Sequence, residues 1–316
     1  MKQLTEGLKR YGIYLVLLVL IIFFSIASKA FLHPNNLFNV ARQISTLGIA
    51  AVGMTFALLL GGIDLSIGSQ ITLANIITAW LMVNAGASPV VSILAALLVS
   101  TAVGFLNGWV IANIHMPPLI VTLSTMTILE GLAYIISGGV PIFGFPESFA
   151  FIGQGYVGPI PVPVIIMVIV LLTGAFILNM TYFGRYFYAV GGNEEASKLS
   201  GINVKMVHCM AYTLSGFIAG LAGIVMLSRT NSGQPVAGKG FEFDVLTAVV
   251  LGGVSVSGGF GKISNVVAGV IILGVLNNGM VLMNASSYIQ MVVKGSVLLL
   301  AVGFDCLQKR RKVKSI

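Results

Sequence analysis

Long runs of apolar residues recur along the whole chain, with short polar or turn-forming segments between them. A helix needs roughly 20 residues to cross the hydrocarbon core of a bilayer, and most of these runs are long enough. Ten runs are found, at residues 11–28, 44–60, 67–84, 89–112, 119–136, 162–180, 207–228, 243–256, 264–283 and 288–305. The eighth run is much shorter than the others, which favours a broken or re-entrant helix over a full crossing.

The composition supports the same interpretation. Hydrophobic residues make up 57% of the chain and charged residues only 8%, and the mean hydropathy is +1.01. Soluble domains carry about 25% charged residues, so this chain has too little polar surface to face water. We therefore predict an all-α integral membrane protein of about ten transmembrane helices, one or two of them broken or re-entrant. Residues 1–316 are expected to form a single transmembrane domain, with no soluble catalytic domain.

Positively charged residues are concentrated in three segments. The N-terminal tail has three, the loop at about 181–206 has three and the C-terminal tail at about 306–316 has five, which is eleven of the 17 lysines and arginines. Membrane-protein loops rich in these residues stay in the cytoplasm. With ten spans the three segments fall on one face, so both termini are predicted to be cytoplasmic. The net charge of +8 then reflects topology, and no basic stripe with interleaved aromatic residues indicates nucleic-acid binding.

Motifs of familiar enzymes and metal sites are missing from the sequence. It contains no H-E-x-x-H, G-x-S-x-G or C-x-x-C pattern, and Gly261–Lys262 lacks the hydroxyl residue and the upstream glycine of a P-loop. Cys209 and Cys306 are far apart and suggest neither a disulfide framework nor a metal site. We expect no catalytic residues, no metal and no cofactor on this chain.

Three charged side chains lie inside predicted spans, namely Asp64, Glu130 and Lys294. Ionisable groups are costly at membrane depth, so each is a candidate functional residue. Each also has a structural alternative. Asp64 can accept from unpaired N–H groups of a helix that begins near Ser66. Glu130 can pair with a neighbouring span, and Lys294 can extend toward the membrane surface.

Glycines form two further patterns. The segment "LGGIDLSIGS" (60–69) is similar to "LGGVSVSGGF" (251–260), and an apolar helix follows each. Paired, glycine-interrupted segments mark the substrate path of many transporters, although chance similarity is the alternative. The G-x-x-x-G pairs Gly104–Gly108 and Gly216–Gly220 predict close helix packing and say little about function.

Four stretches together carry a resemblance to a known family. They are "NNLFNVARQISTLGIAAVGMTFALLLGGIDLSIGS" (35–69), "GRYFYAVGGNEEASKLSGINV" (184–204), "LTAVVLGGVSVSGGFGKI" (246–263) and "NNGMVLMNASSYIQMVVKG" (277–295). From about residue 30 onward the chain resembles the permease subunits of ATP-binding-cassette sugar importers, specifically the ribose-type branch. The resemblance implies a permease domain in the inner (plasma) membrane of a prokaryote that translocates a monosaccharide, either ribose or a related sugar or polyol. It also implies a separate ATPase subunit, an extracytoplasmic sugar-binding protein and a second permease chain, identical or paralogous.

The central polar loop contains the signals of a short capped helix. Asn193 can cap the helix, and the two glutamates that follow lie in its first turn, where the helix dipole favours acids. Lys198 lies later, and Gly201 is a favourable C-terminal stop. The predicted helix spans about 194–200. So short a helix is marginal alone, and an ordinary loop helix is the alternative to a docking element.

The resemblance gives this helix a role. In the importer family the corresponding helix inserts into a groove on the ATPase subunit. The broader importer class has a Glu-Ala-Ala…Gly pattern here, and Ser197 replaces its second Ala in this chain. The implied ATPase-coupling residues are Asn193, Glu194, Glu195, Ala196, Lys198 and Gly201.

The segment "GGIDLSIGSQ" is predicted to lie beside the substrate path, with "LGGVSVSGG" near it. Broken backbone at membrane depth is tolerated only where protein or a water-filled cavity satisfies its polar groups. A sugar would be bound by neutral donors and acceptors, because an unpaired ion is costly there. The predicted path residues are Gly61, Gly62, Asp64, Ser66, Gln70, Asn75 and Asn278. The alternative is that the two glycines serve tight helix packing away from any cavity.

An ion-coupled secondary transporter is the alternative function. It would use the charged groups Asp64, Glu130 or Lys294 to couple substrate to an ion. The capped helix in the cytoplasmic loop discriminates between the two functions, because a secondary transporter has no need of one. An intramembrane enzyme is disfavoured, since the sequence offers no nucleophile–base pair or metal arrangement.

Overall fold

The computed structural model describes the backbone of residues 2–313 and the side chains of residues 12–307. Apart from one short hairpin, β1 (Tyr156–Val157) and β2 (Ile160–Pro161), its regular structure is helical. The helices are α1 (Lys2–Ala27), α2 (Pro34–Leu59), α3 (Ile67–Val83), α4 (Pro89–Ile114), α5 (Pro118–Ser137), α6 (Glu147–Gln154), α7 (Val162–Met180), α8 (Tyr182–Gly192), α9 (Glu194–Leu199), α10 (Val204–Thr230), α11 (Phe241–Leu251), α12 (Ile263–Leu282) and α13 (Ser287–Val313).

Each predicted apolar run coincides with one helix. Among the described residues, seven helices are long and apolar enough to cross a membrane, and shorter apolar helices lie at Gly12–Ala27 and Ile67–Val83. Helix α11, in the eighth run, has only 11 residues. An all-helical integral membrane protein is therefore confirmed, while the count of ten crossings and the orientation of the termini stay predictions. The basic residues of both predicted cytoplasmic tails lie outside the described side chains.

Helix starts follow local chemistry that the sequence displays. Proline occupies the first turn of α2, α4, α5 and α7. It is favourable there because the first N–H groups of a helix have no intrahelical acceptor, so the missing donor costs nothing. The apolar runs after these prolines then continue as helices until the next turn-forming residues.

Helices α2 and α10 form the centre of the bundle, and most of their residues are buried. The outer helices α4, α5 and α13 instead direct many apolar side chains outward, as lipid-facing helices do. The G-x-x-x-G pairs bring α4 against α10. A Cβ atom on Gly104 would lie 3.0 Å from the Cα of Gly216, and one on Gly108 would lie 2.7 Å from the Cα of Cys209. Close packing by these glycines is confirmed.

Three non-helical segments interrupt the bundle. Residues 60–66 separate α2 from α3, and residues 252–262 separate α11 from α12. The third segment, 231–240, runs beside α3, which satisfies part of its backbone: Asn75 Oδ1 accepts from Gln234 N–H at 3.2 Å and Thr72 Oγ1 from Gly238 N–H at 2.9 Å. Such contacts allow irregular backbone to be buried among membrane helices.

Three elements were not predicted by the apolar pattern: α6, the β1–β2 hairpin and α8. Helix α6 packs on the end of α10 through Ser228, whose hydroxyl accepts from Gly153 N–H at 2.7 Å and donates to Phe149 O at 2.6 Å. Helix α8 directly precedes α9, and only three of its residues are fully buried. Short helices at the ends of a bundle carry too little periodic apolar signal to stand out in a sequence.

Candidate functional site

Helix α9 has the caps that the sequence predicts. Asn193 has extended backbone angles, and its Oδ1 accepts from Ala196 N–H at 2.9 Å. Glu194 and Glu195 lie in the first turn and Lys198 in the last, which suits the helix dipole. Gly201 has a φ of 83°, a conformation that glycine adopts without strain. The prediction of a capped helix is confirmed, with its end at Leu199.

Opposite faces of α9 meet different surroundings. Ser197 is buried, and its hydroxyl donates to Asn193 O at 2.8 Å. This explains locally why a serine fits where the importer pattern has its second alanine: the side chain is small and its polar group is satisfied. Leu199 is 90% exposed, at the other side of the helix. A short helix therefore holds a large apolar side chain outward, at the end of the membrane helices.

A cavity of about 550 Å³ lies beside α9. Its walls come from α9, from the turn between α4 and α5 and from the start of α10, and Leu60 and Gly61 also line it. His208 of α10 lines the cavity, and its Nε2 lies 3.8 Å from Oε2 of Glu194 in α9. The first helix break and the capped helix thus share one concave surface.

The carboxylate of Asp64, three residues after Gly61, is fully buried and is held by three donors. Its Oδ1 accepts from the N–H and the hydroxyl of Ser66, at 3.1 and 2.5 Å, and its Oδ2 accepts from the hydroxyl of Ser215 at 2.7 Å. Helix α3 starts just after its N-cap residue Ser66, whose side chain makes no cap hydrogen bond. Asp64 accepts from the N–H of Ser66 itself, one residue before the helix, so the predicted capping of the first helical N–H groups is not found. Ser215 belongs to α10, and the carboxylate therefore joins the helix break to the centre of the bundle.

Ser66 is the hub of a wider buried network. Its hydroxyl oxygen accepts from Gln70 Nε2 at 2.8 Å and from Asn107 Nδ2 at 3.0 Å. Asn107 in turn accepts from the hydroxyl of Thr125 at 2.6 Å. With Asp64 and Ser215, this network connects α3, α4, α5 and α10 at the level of the first break. Apart from Gln70 Oε1, which is buried without a hydrogen-bond partner, the side-chain atoms named here bind one another, and the network acts as a structural joint.

The predicted path residues do not form one cluster. Gly61 and Gly62 lie at the break: a Cβ on Gly61 would be 3.4 Å from Ser257 O, and one on Gly62 would overlap the hydroxyl of Tyr212. Asn75 lies farther along α3, where its side chain accepts a hydrogen bond from the segment 231–240. Asn278 instead exchanges two hydrogen bonds of 2.9 Å with Asn36, and belongs to a separate contact between α12 and α2.

The other charged groups at membrane depth have different surroundings. The Nζ of Lys294 donates to Asp244 Oδ2 at 2.7 Å and so ties α13 to α11, while the lysine side chain stays partly exposed. Within the described side chains, Glu130 forms no ion pair. Its carboxylate instead lies close enough to the buried Glu242 for the two acidic groups to disfavour each other's charge. Residues 12–307 contain no group of three or more His, Cys, Asp or Glu side chains that could hold a metal.

Sequence reasoning missed Ser215, Thr125 and Asp244. The first two carry no signal of their own, because a serine or threonine in a membrane helix usually bonds its own backbone. Asp244 had a usable signal: a lysine inside an apolar helix needs an acidic partner, and Asp244 lies in the first turn of the predicted eighth span.

Comparison with known proteins identifies the family. The model of the family described as "Branched-chain amino acid transport system / permease component" matches residues 36–302. The chain belongs to this permease family. It is 43% identical over 300 residues to the ribose import permease protein of Bacillus subtilis, covering 94% of this chain and 93% of that protein. The predicted resemblance to permeases of the ribose-type branch is confirmed.

Two further relatives are named for other sugars. The L-arabinose transport system permease of Escherichia coli K12 is 42% identical over 303 residues, or 96% of this chain and 92% of that protein. The D-allose transport system permease of the same strain is 37% identical over 301 residues, or 94% and 92%. The ion-coupled alternative receives no support from these relatives. No solved structure matches the chain significantly.

Proposed function

We propose that this chain is the membrane-spanning permease subunit of a prokaryotic importer that translocates a monosaccharide. The similarity to ribose, arabinose and allose permeases over more than nine-tenths of the chain carries the proposal. The imported sugar is a pentose or hexose delivered by an extracytoplasmic binding protein. A separate ATPase subunit supplies the energy, and a second permease chain, identical or paralogous, completes the path.

The ATPase-coupling site is α9 with its two caps. A six-residue helix has little stability alone, yet here both ends are capped and Leu199 is held outward. The adjacent cavity of about 550 Å³ gives a partner helix or loop a concave surface beside an apolar contact. The coupling residues are Asn193, Glu194, Glu195, Ala196, Lys198 and Gly201.

The substrate path passes close to the first helix break. The Asp64–Ser66 network holds the break, and the Gly61 side of it faces the cavity. Gly62, Gln70 and Asn75 contribute by keeping this region of α3 in place. Asn278 lies beside the path at another level, where its pairing with Asn36 joins α12 to α2.

The arrangement in the membrane follows from the same proposal. The chain is one domain of about ten membrane helices in the inner membrane, α9 and both termini are cytoplasmic, and α11 is one of the broken or re-entrant helices. The paired carboxamide, hydroxyl and carboxylate groups of the bundle stabilise helix contacts.

Uptake into proteoliposomes tests the proposal. The chain is purified with its cognate ATPase and binding protein, and radiolabelled ribose, arabinose and allose are supplied outside. We expect ATP-dependent and binding-protein-dependent accumulation of at least one of these sugars. Uptake that follows an imposed sodium or proton gradient and ignores ATP would support the secondary transporter instead.

A further inference from the structure

Three glycine-containing segments meet at one point, which we name the glycine junction: Leu59–Gly61, Val190–Gly191 and Ser257–Gly259. The first begins the break after α2, and the third lies within the break between α11 and α12. The second lies in the last turn of α8, just before the cap of α9. The N–H of Gly259 donates to the carbonyl of Leu59 at 2.8 Å, so the two breaks are hydrogen-bonded to each other.

The end of α8 fits against this hydrogen bond with no side chain between the backbones. A Cβ on Gly191 would overlap the carbonyl oxygen of Leu59 and lie 2.7 Å from the nitrogen of Gly259. A Cβ on Gly258 would lie 2.9 Å from Gly191 O and 2.7 Å from Gly61 N. Only glycine allows so close an approach.

A second contact ties α8 to the same break. The hydroxyl of Tyr188 donates to the carbonyl of Gly261 at 2.7 Å. Burial raises the pKa of this phenol, so it keeps its proton and remains a donor at physiological pH. Helix α8 therefore contacts the α11–α12 break at two points: the backbone of Gly191 packs against Gly258 and Gly259, and the Tyr188 side chain binds Gly261.

From these contacts we infer that the glycine junction transmits movement of the coupling helix to both helix breaks at once. This inference rests on the proposed function, since it concerns how the ATPase drives the path. Side chains in contact can change rotamer and absorb a displacement, whereas packed backbones cannot. A shift of α9 pulls on Asn193, then on Gly191, and is passed directly to Leu59 and Gly259.

Residues at the α3 end of the first break connect the glycine junction to other helices. Asp64 follows the junction by a few residues and binds Ser215 of α10, while Ser66 binds Asn107 of α4. A displaced junction therefore moves the start of α3 together with α4 and α10. The inference assigns Gly191 and Tyr188 as positioning residues for transport, although neither touches the sugar.

A matched pair of glycine variants tests this inference. Gly191→Ala places a methyl group on the carbonyl of Leu59, whereas nothing lies within 4 Å of a Cβ on Gly192. Sugar molecules imported per ATP hydrolysed are measured with the complete complex in proteoliposomes, using whichever of ribose, arabinose and allose the wild type imports. We expect the Gly191→Ala complex to assemble and hydrolyse ATP, with this ratio reduced about tenfold. Gly192→Ala should stay within about twofold of the wild type.

A variant without added bulk covers the case in which Gly191→Ala does not assemble. Tyr188→Phe removes only the hydroxyl bonded to Gly261, and the ratio of sugar to ATP should fall about fivefold, as for the loss of one hydrogen bond. Unchanged ratios in Tyr188→Phe, or in an assembled Gly191→Ala complex, would overturn the inference while leaving the proposed function intact. A wild-type complex without ATP-driven uptake would instead refute the proposed function, and the inference with it.

Discussion

Removing the Asp64 carboxylate should destabilise the bundle much more than neutralising it. In Asp64→Ala, the N–H of Ser66 is fixed by the backbone and loses its acceptor, which costs about 1–3 kcal/mol for a buried donor. The hydroxyls of Ser66 and Ser215 can rotate toward other acceptors, so each adds roughly 0.5–1 kcal/mol, a value typical of hydrogen bonds in membrane proteins. The free energy of unfolding should fall by about 3 kcal/mol in total.

Asp64→Asn keeps most of the same geometry. Its Oδ1 still accepts from Ser66, and its Nδ2 can donate to the hydroxyl of Ser215, which then turns its own hydrogen to the carbonyl one turn earlier in α10. We expect a loss of about 1 kcal/mol or less for this variant.

Heating followed by fluorescence-detected size-exclusion chromatography measures the difference. With about 2–4 °C per kcal/mol, the Tm should fall by roughly 6–12 °C for Asp64→Ala and by less than about 4 °C for Asp64→Asn. Ser66→Ala should approach the alanine variant, because the Ser66 hydroxyl also holds Gln70 and Asn107. Equal Tm values for Asp64→Ala and the wild type would refute the assignment of a structural joint, and so would equal losses in the Ala and Asn variants.

Three further predictions address coupling, topology and the buried ion pair. Glu195→Lys reverses a charge at the start of α9 and should abolish ATP-driven uptake and ATPase co-purification without reducing the permease in the membrane; normal uptake would exclude this helix as the contact. Single cysteines at positions 150 and 310 should react differently with an impermeant reagent in intact cells, and equal labelling would contradict the topology. Lys294→Met should lower the free energy of unfolding by about 1–3 kcal/mol, less than for a fully buried pair because the lysine is partly exposed. Adding Asp244→Asn should restore part of the loss, whereas strictly additive losses would show that the pair is not coupled.

The helices and the capped loop could be predicted because their signals are local. Apolar runs set the spans, prolines set several helix starts, and Asn193 and Gly201 bracket α9 within the sequence itself. The same holds for the position of Asp64 at the start of α3, because its hydrogen-bond partner Ser66 is only two residues away.

The rest depends on contacts between distant residues. Asn278 is an amide suited to a sugar path by type alone, and its pairing with Asn36 needs the fold to bring two helices together. Gly191 carries no signal of its own in the sequence, and its closeness to Leu59 and Gly259 follows only once the two breaks meet. The similarity between the segments 60–69 and 251–260 suggested that both lie near the path, but it did not predict which of their residues touch.

Photo-crosslinking from the exposed tip of α9 tests the central claim most directly. Leu199 is replaced by p-benzoylphenylalanine in the assembled importer, with Val157 of the β1–β2 hairpin, also exposed, as the matched control. The proposed function predicts a covalent product with the ATPase subunit from position 199 and none from position 157, in a complex that imports sugar at the expense of ATP. An importer that is active and yields no ATPase product from position 199 would contradict the claim that α9 is where ATP hydrolysis acts on this chain.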